Sequence, residues 1–198
     1  MIIKHKGQIP SIHSTAYIAP NAVVCGNVEI GRNTRVMFGA QVIAENEKIV
    51  IGDNCIILEN AVIRGTAGLP VKIGDNCLVG PNAHLAGCTL EDEVFIATGA
   101  AVFHGATVRK GAEVRVNGVV HLKTVVPEGQ TVPIGWVAVG NPAGIFPPDM
   151  HEAIWRIQKP LNFPALVYGL ESRERAMPEL CKVMAERLGA HGEDEVIE

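Results

Sequence analysis

Branched apolar residues return at every sixth position through most of this chain, and neither a helix nor a plain sheet satisfies that spacing. They stand at Ile18, Val24, Ile30, Val36 and Val42, then at Ile51, Ile57 and Ile63, then at Ile73, Val79 and Leu85. After one skipped residue the series resumes at Leu90, Ile96, Val102, Val108, Val114, Val120 and Val126. A small residue sits four places after most anchors, as at Ala22, Thr34, Ala40, Cys55, Ala61, Cys77, Ala83, Ala100, Ala106 and Ala112. An amphipathic helix would repeat near 3.6 residues and a half-buried strand near two. A period of six fits a short strand and a turn, repeated, with the β-branched anchor inward and the small residue at the corner. Gly, Asn and Asp supply the turn conformations, as in Ile51-Gly52-Asp53-Asn54-Cys55 and Ile73-Gly74-Asp75-Asn76-Cys77. Three such units close one triangular coil, and coils stack at the strand spacing of about 4.8 Å. Residues that are 47% hydrophobic but only 5% aromatic suit a core of stacked aliphatic layers.

The repeats end near Gly140-Asn141-Pro142-Ala143, and Pro147-Pro148 punctuates. The division expected is a β-helix domain at 1–146 and a helical extension with an acidic tail at 147–198. In the extension, Asp149 is positioned to cap a helix running to about Lys159. A second helix is expected from about Pro178 to Leu188, with Gly189 after its end. Gly192 to Glu198 read as an unstructured tail.

Spacing leaves the hand of the coil open, since parallel crossovers in general favour the right. The pattern [LIV]-[GAED]-x-x-[STAV]-x resembles the hexapeptide-repeat superfamily, which implies a left-handed parallel β-helix with helices packed outside it. Within that superfamily the chain resembles the γ-class carbonic anhydrases over roughly residues 8–146. Val79-Gly80-Pro81-Asn82-Ala83-His84-Leu85-Ala86-Gly87-Cys88 is similar to the family's V-G-H-x-A-x-L-H-G-C. Gly135-Trp136-Val137-Ala138-Val139-Gly140-Asn141-Pro142-Ala143 is similar to its G-W-x-x-x-G-N-P-A.

That resemblance implies a homotrimer with zinc held between subunits by three histidines. The matching positions hold Arg64, Pro81 and Ala86, none of which can donate to a metal. The family's L-R-G-D reads Val42-Ile43-Ala44-Glu45, and its I-Q-D reads Ile57-Leu58-Glu59. Catalytic zinc needs three protein ligands and an open position for water, so CO2 hydration is expected to be absent, with no metal at these positions and no cofactor. Glu45, Glu59, Arg64 and His84 are then the residues of the binding cleft. The three apolar residues Ile43, Leu58 and Phe103 lie where family members meet.

Three functions stay open at this level. One is a trimer without hydration activity that binds a small molecule or supports assembly. Another is an acyltransferase using coenzyme A thioesters at the subunit interface, with His84, His104 or His121 as general base, although the insertions near Glu45 and Thr66 are short for that class. The third is a carbonic anhydrase or hydrolase whose metal has moved to those same histidines. His5, His13, His151 and His191 fall outside the central coils and receive no role. Cys55 and Cys77 read as small corner filler, and five cysteines without a CxxC pair argue against a zinc knuckle. A net charge of −4 gives no footprint for nucleic acid. No apolar run reaches the ~18 residues of a membrane span, and a cytoplasmic protein is expected.

Overall fold

A computed structural model describes residues 1–66, 68–170 and 176–197. The six-residue frame folds into a left-handed parallel β-helix with three faces. One face is a seven-stranded parallel sheet in which Tyr17–Ile18, Arg35–Val36, Ile56–Ile57, Leu78–Val79, Phe95–Ile96, Glu113–Val114 and Thr131–Val132 lie in register. The other two faces belong to one larger sheet, because the strands Val23–Ile30 and Gln41–Ile51 run around a corner and serve both. The first half of Gln41–Ile51 pairs with Val62–Gly65 and its second half with Val71–Ile73. Glu45 to Lys48, where the sequence frame resets, form that corner.

Every anchor from Val24 to Val126 is buried, and the small corner residues from Ala22 to Ala112 are buried beside them. Ile18, at the open end of the coil, is half-exposed. Aligning like side chains coil upon coil fills the interior with aliphatic groups at close-packed density. The corners repeat just as strictly. Asp53 Oδ1 accepts the backbone N–H of Arg32 (2.6 Å), Asp75 Oδ1 that of Asp53 (2.7 Å) and Asp92 Oδ1 that of Asp75 (2.9 Å). A Cβ at Gly52 would run into the Asp75 carboxylate and the Gly74 carbonyl, which is why Gly precedes Asp in this motif. Asn54 and Asn76 then adopt positive φ to turn the corner. The thiols of Cys55 and Cys77 donate to carbonyls of the next coil, Gly74 (3.0 Å) and Glu91 (3.1 Å), so both are structural groups.

The extension departs from expectation in three places. Helix α1 spans His151–Gln158 with Met150 at its N-cap, and no side chain caps it, so Asp149 does not play that part. Helix α2 spans Ala176–Leu188, two residues longer at its start than the proline suggests, and Gly189 opens a 3-10 turn after it. The tail is ordered: Glu195–Val196 pairs antiparallel with the first strand, Ile2–Lys4, and Lys4 Nζ bonds Glu195 at 3.0 Å. Acidic composition argued for a free tail, but the edge strand offered unpaired backbone groups for it to satisfy. Glu198 lies outside the described residues. No described helix is long and apolar enough to cross a membrane.

Candidate functional site

The face carrying Val62–Gly65 holds the cleft. In its register Arg64 lies beside Ala86 on the next coil, His84 beside Val62 and Ala101, and Phe103 beside His121. Inward anchors alternate with outward residues along each strand, so Arg64, His84, Ala86, Phe103 and His121 all stand on the outer surface of one face. Pro81 does not join them. It follows Val79 on the seven-stranded face, next to Glu59 in the register that pairs Ile57 with Val79.

Arg64 and Glu45 form an ion pair within one chain, Nη2 to Oε1. Glu45 is 6% exposed, while the Arg64 side chain is 33% exposed. The hydroxyl of Thr66 also donates to Glu45 Oε2 at 3.4 Å. Glu59 has no ion-pair partner among the described residues, and within a chain it belongs to the Pro81 corner. The expected cleft of Glu45, Glu59, Arg64 and His84 therefore loses Glu59 from its intrachain set.

Arg64, His84, Ala86 and His104 line a cavity of about 150 Å³, and the extension closes it from outside with Phe163, Val167, Tyr168, Met184 and Arg187. No spacing in the chain signals that cover. Within it, Phe163 and Tyr168 pack edge to face at 5.5 Å. Two polar atoms of the wall, Arg64 Nε and His104 Nδ1, are buried without a hydrogen-bond partner among the described residues. His121 opens instead onto a neighbouring apolar hollow with Phe103, Trp155 and Phe163, and its Nδ1 likewise has no partner among the described residues.

The three histidines are held neutral. Burial lowers the pKa of His84, with the positive charge of Arg64 adding to it. Burial, then His84 and Arg64, takes His104 down to about 4, and burial alone takes His121 to about 4. Their ring nitrogens do not converge: among the described residues one group brings three or more ligand atoms within 4.8 Å, and it contains none of the three. Phe103, not His104, is the register neighbour of His121. The donor set therefore does not fit a zinc ion within one chain, either at Arg64, Pro81 and Ala86 or at the relocated histidines.

A pH dependence follows from these shifts. An unfolded histidine titrates near pH 6.5, so as pH falls the unfolded chain takes up the proton first. Stability contributed by neutral His104 is complete above that value and is lost between about pH 6.5 and pH 4. The loss is on the order of 3 kcal/mol. Urea unfolding at the two ends of this window should show it, and His104→Gln should lose distinctly less; an equal drop in the variant would contradict the assignment.

Comparison with known proteins places the scaffold. The profile of the bacterial transferase hexapeptide family (six repeats) matches residues 70–104. The chain is 36% identical over 97 residues to gamma carbonic anhydrase 3, mitochondrial, of Arabidopsis thaliana, covering 46% of this chain and 38% of that protein. It is 33% identical over 140 residues to gamma carbonic anhydrase 2, mitochondrial, of the same plant, covering 68% of this chain and 48% of the relative. It thus spans less than half the length of these curated relatives. Among solved structures, a hexapeptide transferase family protein from Anaplasma phagocytophilum superimposes over 98% of both chains with a TM-score of 0.56 and 22% identity, a likeness of fold.

Proposed function

Since the chain belongs to the hexapeptide-repeat proteins related to γ-class carbonic anhydrases, we propose that it is a member without CO2 hydration activity that binds a small molecule in the Arg64–His84 cleft. The observation that carries this reading is the guanidinium of Arg64, tied to buried Glu45, at a position where the family's chemistry needs a metal donor. A planar fork of N–H groups suits a carboxylate geometry. Arg187 supplies a second guanidinium to the same wall. With the unpartnered Arg64 Nε and a cavity of only about 150 Å³, the ligand class is a carboxylate or oxyanion of a few heavy atoms.

A second reading has its own support. His104 and His121 each keep a ring nitrogen without a partner among the described residues, as a general base requires, although burial that lowers their pKa to about 4 also weakens them as bases. This favours an acyl transfer from a coenzyme A thioester. A thermal-shift comparison separates the two. Small carboxylates should raise the melting temperature of the wild type and fail to do so in Arg187→Ala, while acetyl-coenzyme A leaves it unchanged. Stabilisation by acetyl-coenzyme A that His104→Gln abolishes would favour the transferase. No shift with any small anion would end the binding reading.

We further propose a homotrimer. Glu59 and Pro81 stand on one corner and Arg64 and Ala86 on another face, so these positions meet only between subunits. Leu58, Leu78, Pro81, Phe95 and Ile134 line an apolar groove on that corner, with Ile134 68% exposed, and three-fold closure would cover it. Of the other apolar residues expected at the contact, Ile43 and Phe103 are half-buried on the cleft face. Sedimentation should give about three times the 21.1 kDa chain mass; a monomer would refute the assembly.

A further inference from the structure

The tail's return to the first strand gathers four side chains that no repeat predicts. His5 follows the strand Ile2–Lys4, which pairs on one side with Cys25's strand and on the other with Glu195–Val196. His191 and Asp194 come from the turn just before that last strand. His5 Nδ1 lies 2.5 Å from Asp194 Oδ1, and His191 Nδ1 lies 2.8 Å from Asp194 Oδ2. Cys25 Sγ faces the same Oδ2 at 3.9 Å. The two imidazoles stack with centroids 4.3 Å apart. One ligand atom from each of the four residues lies within 4.8 Å of all the others. His5 and Cys25 are each 2% exposed.

We infer that His5, Cys25, His191 and Asp194 bind one zinc-class divalent ion, which fastens the C-terminal tail to the N-terminal strand.

Three features of the cluster carry this. The first is convergence. A tetrahedral zinc with bonds of about 2.0–2.3 Å holds its ligand atoms about 3.3–3.8 Å apart, so the four atoms need only side-chain shifts of about 1 Å to seat it. A thiol aimed at a carboxylate across 3.9 Å is a poor hydrogen bond and explains little without an ion. The second is chemistry. Two imidazole nitrogens, one sulfur and one carboxylate oxygen form a borderline-soft set that selects zinc over magnesium or calcium. On binding, the Cys25 proton leaves to solvent, and thiolate plus carboxylate balance the two positive charges, so the buried centre is neutral. The third is the outer shell. His5 Nε2 stands 3.2 Å from the backbone oxygen of Glu45, a partner that keeps the proton on Nε2 and leaves Nδ1 free to ligate.

The site is separate from the family's metal position. In the ladder that runs Cys25, Ile43, Arg64, Cys25 stands two coils from Arg64, about 10 Å at strand spacing. Four protein ligands leave no open coordination position, so the ion is structural. No sequence pattern announced it: His5 and Asp194 are 189 residues apart, and His191-x-x-Asp194 alone is an ordinary turn. A zinc here departs from the reading of the sequence, which expects no cofactor and gives His5 and His191 no role.

The test is metal content and metal spectroscopy of the full chain, purified without chelator. Wild type should carry about one zinc per chain, and so should Cys181→Ser, which changes the exposed cysteine. Cys25→Ser and His191→Ala should bind zinc more than roughly 10–100-fold more weakly, since even outer-shell changes cost that much. Replacement by cobalt(II) should give a thiolate charge-transfer band that Cys25→Ser removes. Circular dichroism identifies any misfolded variant, and His191→Ala, at a one-third exposed side chain, keeps the question answerable if Cys25→Ser fails to fold. A folded wild type that takes up neither zinc nor cobalt would overturn the inference. So would zinc content unchanged in His191→Ala, or a cobalt band unchanged in folded Cys25→Ser.

Discussion

Arg64→Ala is expected to destabilise the chain by about 2–4 kcal/mol. Removing one partner of a fully buried ion pair costs about 3–5 kcal/mol, because the other charge is left without compensation. Glu45 meets that description at 6% exposure, but the guanidinium is one-third exposed, and solvent screening lowers the figure. Thr66 gives Glu45 only a long 3.4 Å bond, too little to replace the fork of Arg64. Because the pair forms inside one chain, the loss appears in chain unfolding as well as in subunit association. Glu45→Gln added to Arg64→Ala should recover much of it, since a neutral amide is far cheaper to bury than a stranded carboxylate. A double-mutant cycle in urea measures the coupling. Additive effects of the two substitutions would show that the pair contributes nothing.

The repeat was legible because each anchor needs the same environment on every coil. From Val24 to Val126 a β-branched or leucine side chain fills the same inward place, and spacing alone exposes that. Arg64 and Ala86 as stacked neighbours also followed from the frame. The cleft expected from the resemblance wrongly grouped Glu59 with Arg64 within a chain: Ile57 and Ile63 anchor consecutive faces, so residues beside them look in different directions. The rest depended on contacts distant in sequence. Whether Glu195–Val196 folds back is decided by the open edge of Ile2–Lys4. The cover over the cleft is decided by how Phe163 and Val167 meet His104 and Arg64. His5 and His191 looked idle because each stands outside the repeat; their role arises only where the two ends of the chain meet.

On the function proposed above, an arginine–glutamate pair stands where the family's zinc chemistry would be, so that no activated water forms there. Metal-bound hydroxide accounts for carbonic anhydrase turnover of up to about 10⁶ per second. Within one chain, neither Arg64, Pro81 and Ala86 nor the dispersed His84, His104 and His121 bring three ligand atoms together among the described residues, and a zinc at His5, Cys25, His191 and Asp194 would have all four positions filled. Zinc content alone therefore does not decide the matter, but turnover does. Stopped-flow CO2 hydration by this chain, assayed with added zinc, should match the buffer rate. A rate well above buffer that vanishes with chelator would contradict the account.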